Sequence, residues 1–250
     1  MISHVQLGQI LSLSFMKSLP TSGQCLAYCR SLRVRRREGL PADTGPSVSA
    51  MRKFNEQPGL NFLVVEDGSP IEVKDFLFDM IGVLRHLGLP VLWILRPRDL
   101  QRSCLTALDV IRMLFYQALE INGSALNTSH PITVAQLREA SSHDDWLLLL
   151  KRALDGLSSV YIIMDSDVME YITNRDKEIA TRFLAEFVRV LGPETVRFIV
   201  SSRVFEAQQA KMGLGQDAVA GVRARRHMRH GNQTAKRRKG SVPRGRHHCQ

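Results

Sequence analysis

Four short, predominantly apolar runs, the last interrupted by Arg197, constrain this chain more than any other feature. They are Phe62-Leu-Val-Val65, Val91-Leu-Trp-Ile-Leu95, Val160-Tyr-Ile-Ile-Met164 and Thr195-Val-Arg-Phe-Ile-Val200. Each is too short for a helix and lacks the in-out alternation of a strand with one wet face. Runs of this kind are strands buried on both sides. Between them the periodicity changes to three and four. Val73, Phe76, Leu77, Met80, Ile81 and Leu84 mark a helix over 71–87, closed by Gly88 and Pro90. Further helices are predicted over 104–121, 133–140, 144–154 (with His143 or Asp144 near its cap) and 176–191. Strands alternating with helices in this order predict an α/β fold, a small parallel sheet covered by helices on both faces. No clear fifth strand follows Val204. The outer edge of the sheet is therefore expected to be exposed or covered by the N-terminal segment.

Charge divides the chain further. The net charge of +10 belongs to the ends. Residues 221–250 hold ten Lys and Arg and no acid, and 1–53 hold eight basic and two acidic residues. The middle is net acidic, which excludes reading the whole chain as a basic nucleic-acid-binding domain. Three segments follow. Residues 1–53 are expected to be a basic, largely irregular segment ending in a Pro/Gly/Ser-rich linker. Residues 54–212 are the α/β domain. Residues 213–250 are expected to be a disordered basic tail, because it has too few apolar residues to offset ordering. Its cluster Arg223, Arg225, Arg226, Lys236, Arg237, Arg238 and Lys239 fits a nuclear-import signal or a sequence-blind phosphate contact.

Four cysteines exclude a disulfide-built scaffold, and no apolar run is long enough to span a membrane. A cytoplasmic, reducing setting is the expectation, with nuclear import as the alternative raised by the tail. The pairs Cys25/Cys29 and His247-His-Cys249 lack the further ligands of a structural zinc. His86, His130 and His143 stand alone, with no nucleophile pattern around them.

In parallel sheets, ligands bind at the carboxyl ends of the strands. Here those ends carry Glu66-Asp-Gly-Ser-Pro70, Arg96-Pro-Arg98, Asp165-Ser-Asp167 and Ser201-Ser-Arg203. The stretches Ile111–Leu119, Asp145–Leu154, Val160-Tyr-Ile-Ile-Met-Asp165 and Val200-Ser-Ser-Arg203 together resemble the NACHT-type P-loop NTPase region of fungal STAND (NOD-like) proteins, over about residues 60–205. The resemblance implies that Asp165 would hold Mg²⁺ and Arg203 would sense a phosphate of ATP or ADP. It also shows two departures. A phosphate loop needs G-x-x-x-x-G-K-[ST]. Residues 66–71 supply one Gly, no Lys and two carboxylates. In the family an Asp-Glu pair follows the first Asp of the strand. Here Val168 and Met169 stand in its place. The expected product is a degenerate domain, non-catalytic or at most weakly nucleotide-binding, that acts as a regulatory or interaction fragment with protein partners. The alternative is a nuclear or nucleic-acid-associated protein working through its basic ends. For Arg203, pairing with Asp165 or Asp167 is expected.

Overall fold

The computed structural model describes residues 8–10, 12–37, 54–57, 59–66, 69–102, 104–123, 132–157, 159–207, 210, 214–215 and 218–223. Strands β1 (Phe62–Glu66), β2 (Val91–Ile94), β3 (Val160–Met164), β4 (Val196–Ser201) and β5 (Val219–Arg223) form one sheet in the order β2-β3-β4-β1-β5. Every pairing is parallel. The fold is therefore α/β, as the apolar runs predict.

The helices are α1 (Ser14–Lys17), α2 (Ser22–Arg37), α3 (Pro70–His86), α4 (Ala107–Ile121), α5 (Val134–Glu139), α6 (His143–Ala153), α7 (Ser166–Ile172) and α8 (Lys177–Leu191). Their starts are written into the sequence. Ser69, Thr106, Thr133 and Ser142 each form a reciprocal capping box with the residue three positions on. The cap of α6 is Ser142, with His143 and Asp144 next to it in the first turn.

Strand order and handedness set the layers. The crossover through α3 runs from β1 to the far edge at β2, and the later ones run back the other way. Right-handed connections then put α3 on one face and α4, α6 and α8 on the other. The contacts agree: α3 touches β2, β3 and β4, while α6 packs against both α4 and α8. The core between them is continuous. Phe62 of β1 stacks on Phe198 of β4 at 5.2 Å and on Phe205 at 4.6 Å between ring centres.

Both ends of the domain differ from the sequence reading. The segment 1–53 is not largely irregular where described: α2 alone spans 16 residues. Ile10, Leu13 and Met16 are buried, and Phe15 meets the Trp146 ring edge-on at 5.7 Å. The Trp93 indole of edge strand β2 donates to Ser22 O at 3.2 Å, so the N-terminal segment wraps the β2 side of the sheet. The expected domain end at residue 212 is also too early. β5 lies within the stretch read as tail and pairs with β1 over its whole length. It supplies the fifth strand that the sequence does not announce. A short helix, α7, was not expected; it fits between β3 and α8. Residues 1–7, 38–53 and 224–250 lie outside the described residues, and with them the linker and most of the tail.

Candidate functional site

Asp165 follows the last residue of β3, where the sequence places it. Its side chain caps α7, accepting from Asp167 N–H at 2.9 Å. The other carboxylate oxygen accepts from Arg96 N–H, just beyond β2, at 3.3 Å. Only 3% of the residue is exposed. That burial raises the Asp165 carboxyl above the usual carboxylate range, and the backbone donors and Lys74 only partly oppose it.

Asp167 has the opposite environment. It is half-buried, which works against its charge. However, Lys74 Nζ sits at 2.6 Å and Arg96 Nη1 at 2.9 Å from the same oxygen, Oδ2. The two cations outweigh burial and hold Asp167 below the usual range. Two carboxylates two positions apart therefore titrate in opposite directions. Asp165, with its raised pKa, contributes stability at low pH that is lost as pH rises through its folded pKa. Asp167, with its lowered pKa, contributes stability that is lost as pH falls through its folded pKa. Carboxyl-carbon NMR titration is expected to place the Asp165 midpoint above that of a free aspartate and the Asp167 midpoint below it. A shared, ordinary midpoint would contradict this arrangement.

Arg203 follows β4, whose last residue is Ser201. Its guanidinium pairs with Glu170 of α7 at 3.0 Å. The expected partners, Asp165 and Asp167, are taken by other groups. This corrects the sequence reading. The reason is α7 itself: by turning into a helix directly after Asp165, the chain carries Glu170 to the end of β4.

Lys74 was missed. A lysine was sought in the turn after β1, but Lys74 lies beyond it on α3 and reaches the strand ends from there. The described start of α3 is also poorly set up for an anion. Helix N-termini hold phosphates through free N–H groups and the helix dipole. Here Ser69 N–H is taken by Glu72 Oε2 at 2.8 Å, Glu72 N–H by Ser69 Oγ at 3.3 Å, and Pro70 has no N–H. Glu72 thus places a carboxylate where the resemblance would put a phosphate. Nor does Asp165 fit a Mg²⁺ ligand: it is buried, and both its oxygens already accept backbone hydrogen bonds.

One side of this cluster is a cleft of about 200 Å³, lined by Cys29 and Leu32 of α2, Lys74 and Phe78 of α3, Arg96 and Asp165. Cys25 of α2 is fully buried. Burial, then the nearby charge of Asp165, pushes its thiol up to about 11.

Of the basic cluster, Arg223 is the last residue of β5, and the other members lie outside the described residues. Among the described residues no group of His, Cys, Asp and Glu could hold a metal ion, and no helix is long and apolar enough to cross a membrane. No protein-family model matches the chain, and no curated protein sequence matches it significantly.

Proposed function

We propose that residues 54–223 form a NACHT-like, P-loop-type NTPase domain, similar to those of fungal STAND proteins, that has lost catalysis and serves as a regulatory or interaction module for protein partners. One observation carries this reading. Three of the cations at the strand ends that could meet a triphosphate are already committed to the segment after β3: Lys74 and Arg96 to Asp167, and Arg203 to Glu170. The cluster is closed upon itself and acts as a polar clasp joining β2, β3, β4 and α3.

The strand order supports the NTPase-like part of the reading. In dinucleotide-binding and flavodoxin-like sheets the first two strands are neighbours. Here β3 and β4 lie between them. The Ser-Ser-Arg end of β4 therefore stands between the turn after β1 and Asp165, which is where a phosphate-sensing arginine would be placed.

Calorimetry of the full chain with MgATP and MgADP tests the proposal. The expected outcome is no saturable heat, meaning a dissociation constant weaker than about 1 mM. Saturable binding that Asp165→Ala abolishes would instead make the domain a working nucleotide switch.

A further inference from the structure

Helix α2 is held differently from every other long helix. Among its described side chains only Cys25 and Arg33 are fully buried. By comparison α8, of similar length, buries Ala180, Thr181, Leu184, Phe187, Val188 and Leu191. Elements that bury little apolar surface open at lower free energy than the core they sit on.

One hold on α2 is ionic, beside the packing of Cys25, Leu26 and Cys29 against the core. Arg33 grips Asp79 of α3 with both guanidinium nitrogens, Nη2 lying 2.7 Å from Oδ2. Its Nε is buried with no hydrogen-bond acceptor. The guanidinium also lies 5.3 Å from the centre of the Phe78 ring. Space remains on both sides of the helix. The 200 Å³ cleft separates it from α3 and the strand ends. A second cleft, of about 690 Å³, separates it from the loop at Pro97–Asp99. The anchor lies just before α2. Phe15 sits edge-on to Trp146 with the Arg112 guanidinium 4.8 Å above it, and Met16 is buried.

We infer that α2 is a lid. It leaves the α/β core as a unit, hinging at residues 18–21 while α1 stays docked, and its departure opens the strand-end cluster of Asp165, Lys74 and Arg96. This deepens the reading above and rests on it only for the identity of the crevice that the lid governs. Cys29 and Leu32 are the parts of the lid that line the crevice, and Cys25 is buried beneath the helix on the side of the second cleft. The Cys29 thiol lies 3.7 Å from Arg96 O. Cys25 is 1% exposed and becomes reachable only when the helix lifts.

That makes Cys25 the reporter. The full chain is treated with iodoacetamide, and alkylation is followed cysteine by cysteine through peptide mass spectrometry. Exposed Cys104 gives the rate of an open thiol. Amide exchange of β3 in the same preparation gives the opening of the whole fold. The lid requires Cys25 to be strongly protected relative to Cys104, yet to open at least about 100-fold more often than the β3 amides. It also requires Arg33→Ala and Asp79→Asn each to speed Cys25 alkylation by about 10- to 100-fold, the effect of losing a charge-assisted pair, with β3 exchange unchanged. If Cys25 opens no more often than β3 in the unsubstituted chain, the lid is overturned whatever the variants do. It is overturned equally if neither substitution changes Cys25. MgATP calorimetry separates the two proposals: heat with a freely opening Cys25 removes the loss of nucleotide binding and keeps the lid. No heat with Cys25 tracking β3 removes the lid alone.

Discussion

A chain cut after residue 212 is expected to lose most of its stability, although by composition that cut removes only a basic tail. β5 pairs with β1 from Phe62↔Val219 through Glu66↔Arg223, and Asn61 N–H adds a bond to Ala218 O at 3.0 Å. Ala218 and Val222 are buried. The cut turns β1 into an edge strand while its side chains keep the unbroken apolar pattern of a central one. Lost ladder bonds cost about 1 kcal/mol each, the buried Val222 side chain costs about 1.5–3 kcal/mol, and the Ala218 methyl costs under about 1 kcal/mol. The sum, roughly 5 kcal/mol or more, is comparable with the whole stability of an ordinary domain. Urea denaturation should show a collapse of the midpoint. Light scattering should show self-association through the bared edge. A chain cut after residue 226 keeps β5 and should behave like the full one. Equal stability of the two truncated chains would mean that β5 contributes nothing to the sheet.

Gln117→Leu is expected to cost about 3 kcal/mol. β2 is the other edge of the sheet, and the buried Gln117 side chain on α4 completes one rung of it. Its Oε1 accepts from Trp93 N–H at 3.0 Å, and its Nε2 donates to Trp93 O at 2.9 Å and to Met113 O at 3.2 Å. A side-chain amide here stands in for a neighbouring strand. Leucine fills similar space but leaves a backbone donor and acceptor unpaired, each worth about 1–3 kcal/mol. Gln117→Glu separates shape from charge. Its carboxylate still accepts from Trp93 N–H but faces two carbonyl oxygens. Its folded-state pKa is therefore raised, so the stability deficit is present at pH 8 and shrinks as pH falls and the group becomes a donor. Urea midpoints for both variants at pH 5 and pH 8 check this. A Gln117→Glu deficit that grew on acidification would contradict the hydrogen-bond assignment.

What was legible in the sequence follows from burial. β1 to β4 are covered on both faces, so their residues are mostly apolar, with Arg197 the one charge inside a run. β5 is an edge. Val219, Ala220 and Gly221 are at most half-buried, and the strand runs directly into the basic stretch, so composition hides it. α2 was invisible for a related reason. A helix that buries one cysteine and one arginine has no apolar stripe to detect. Within the site, Asp165 was legible because a charge ending an apolar strand has few places to go. Lys74 was not, because its position on α3 matters only once the sheet order brings α3 across β3 and β4. The Arg203–Glu170 pair depended on α7, whose seven residues are too few to show a period.

The sheet order also has a consequence during synthesis. The first strand made waits for strands made much later. β1 pairs with neither β2 nor β3. Its partners begin at Val196 and Val219, more than 130 residues downstream of Phe62. At about 5–20 residues per second, the apolar stretch Phe62–Val65 waits roughly ten seconds on a ribosome before a partner strand exists. Until then only β2 and β3, with α4 and α6, can form a neighbouring unit. The chain therefore carries an exposed adhesive segment through most of its own translation. Chaperone demand should fall on that segment rather than on the more apolar β3.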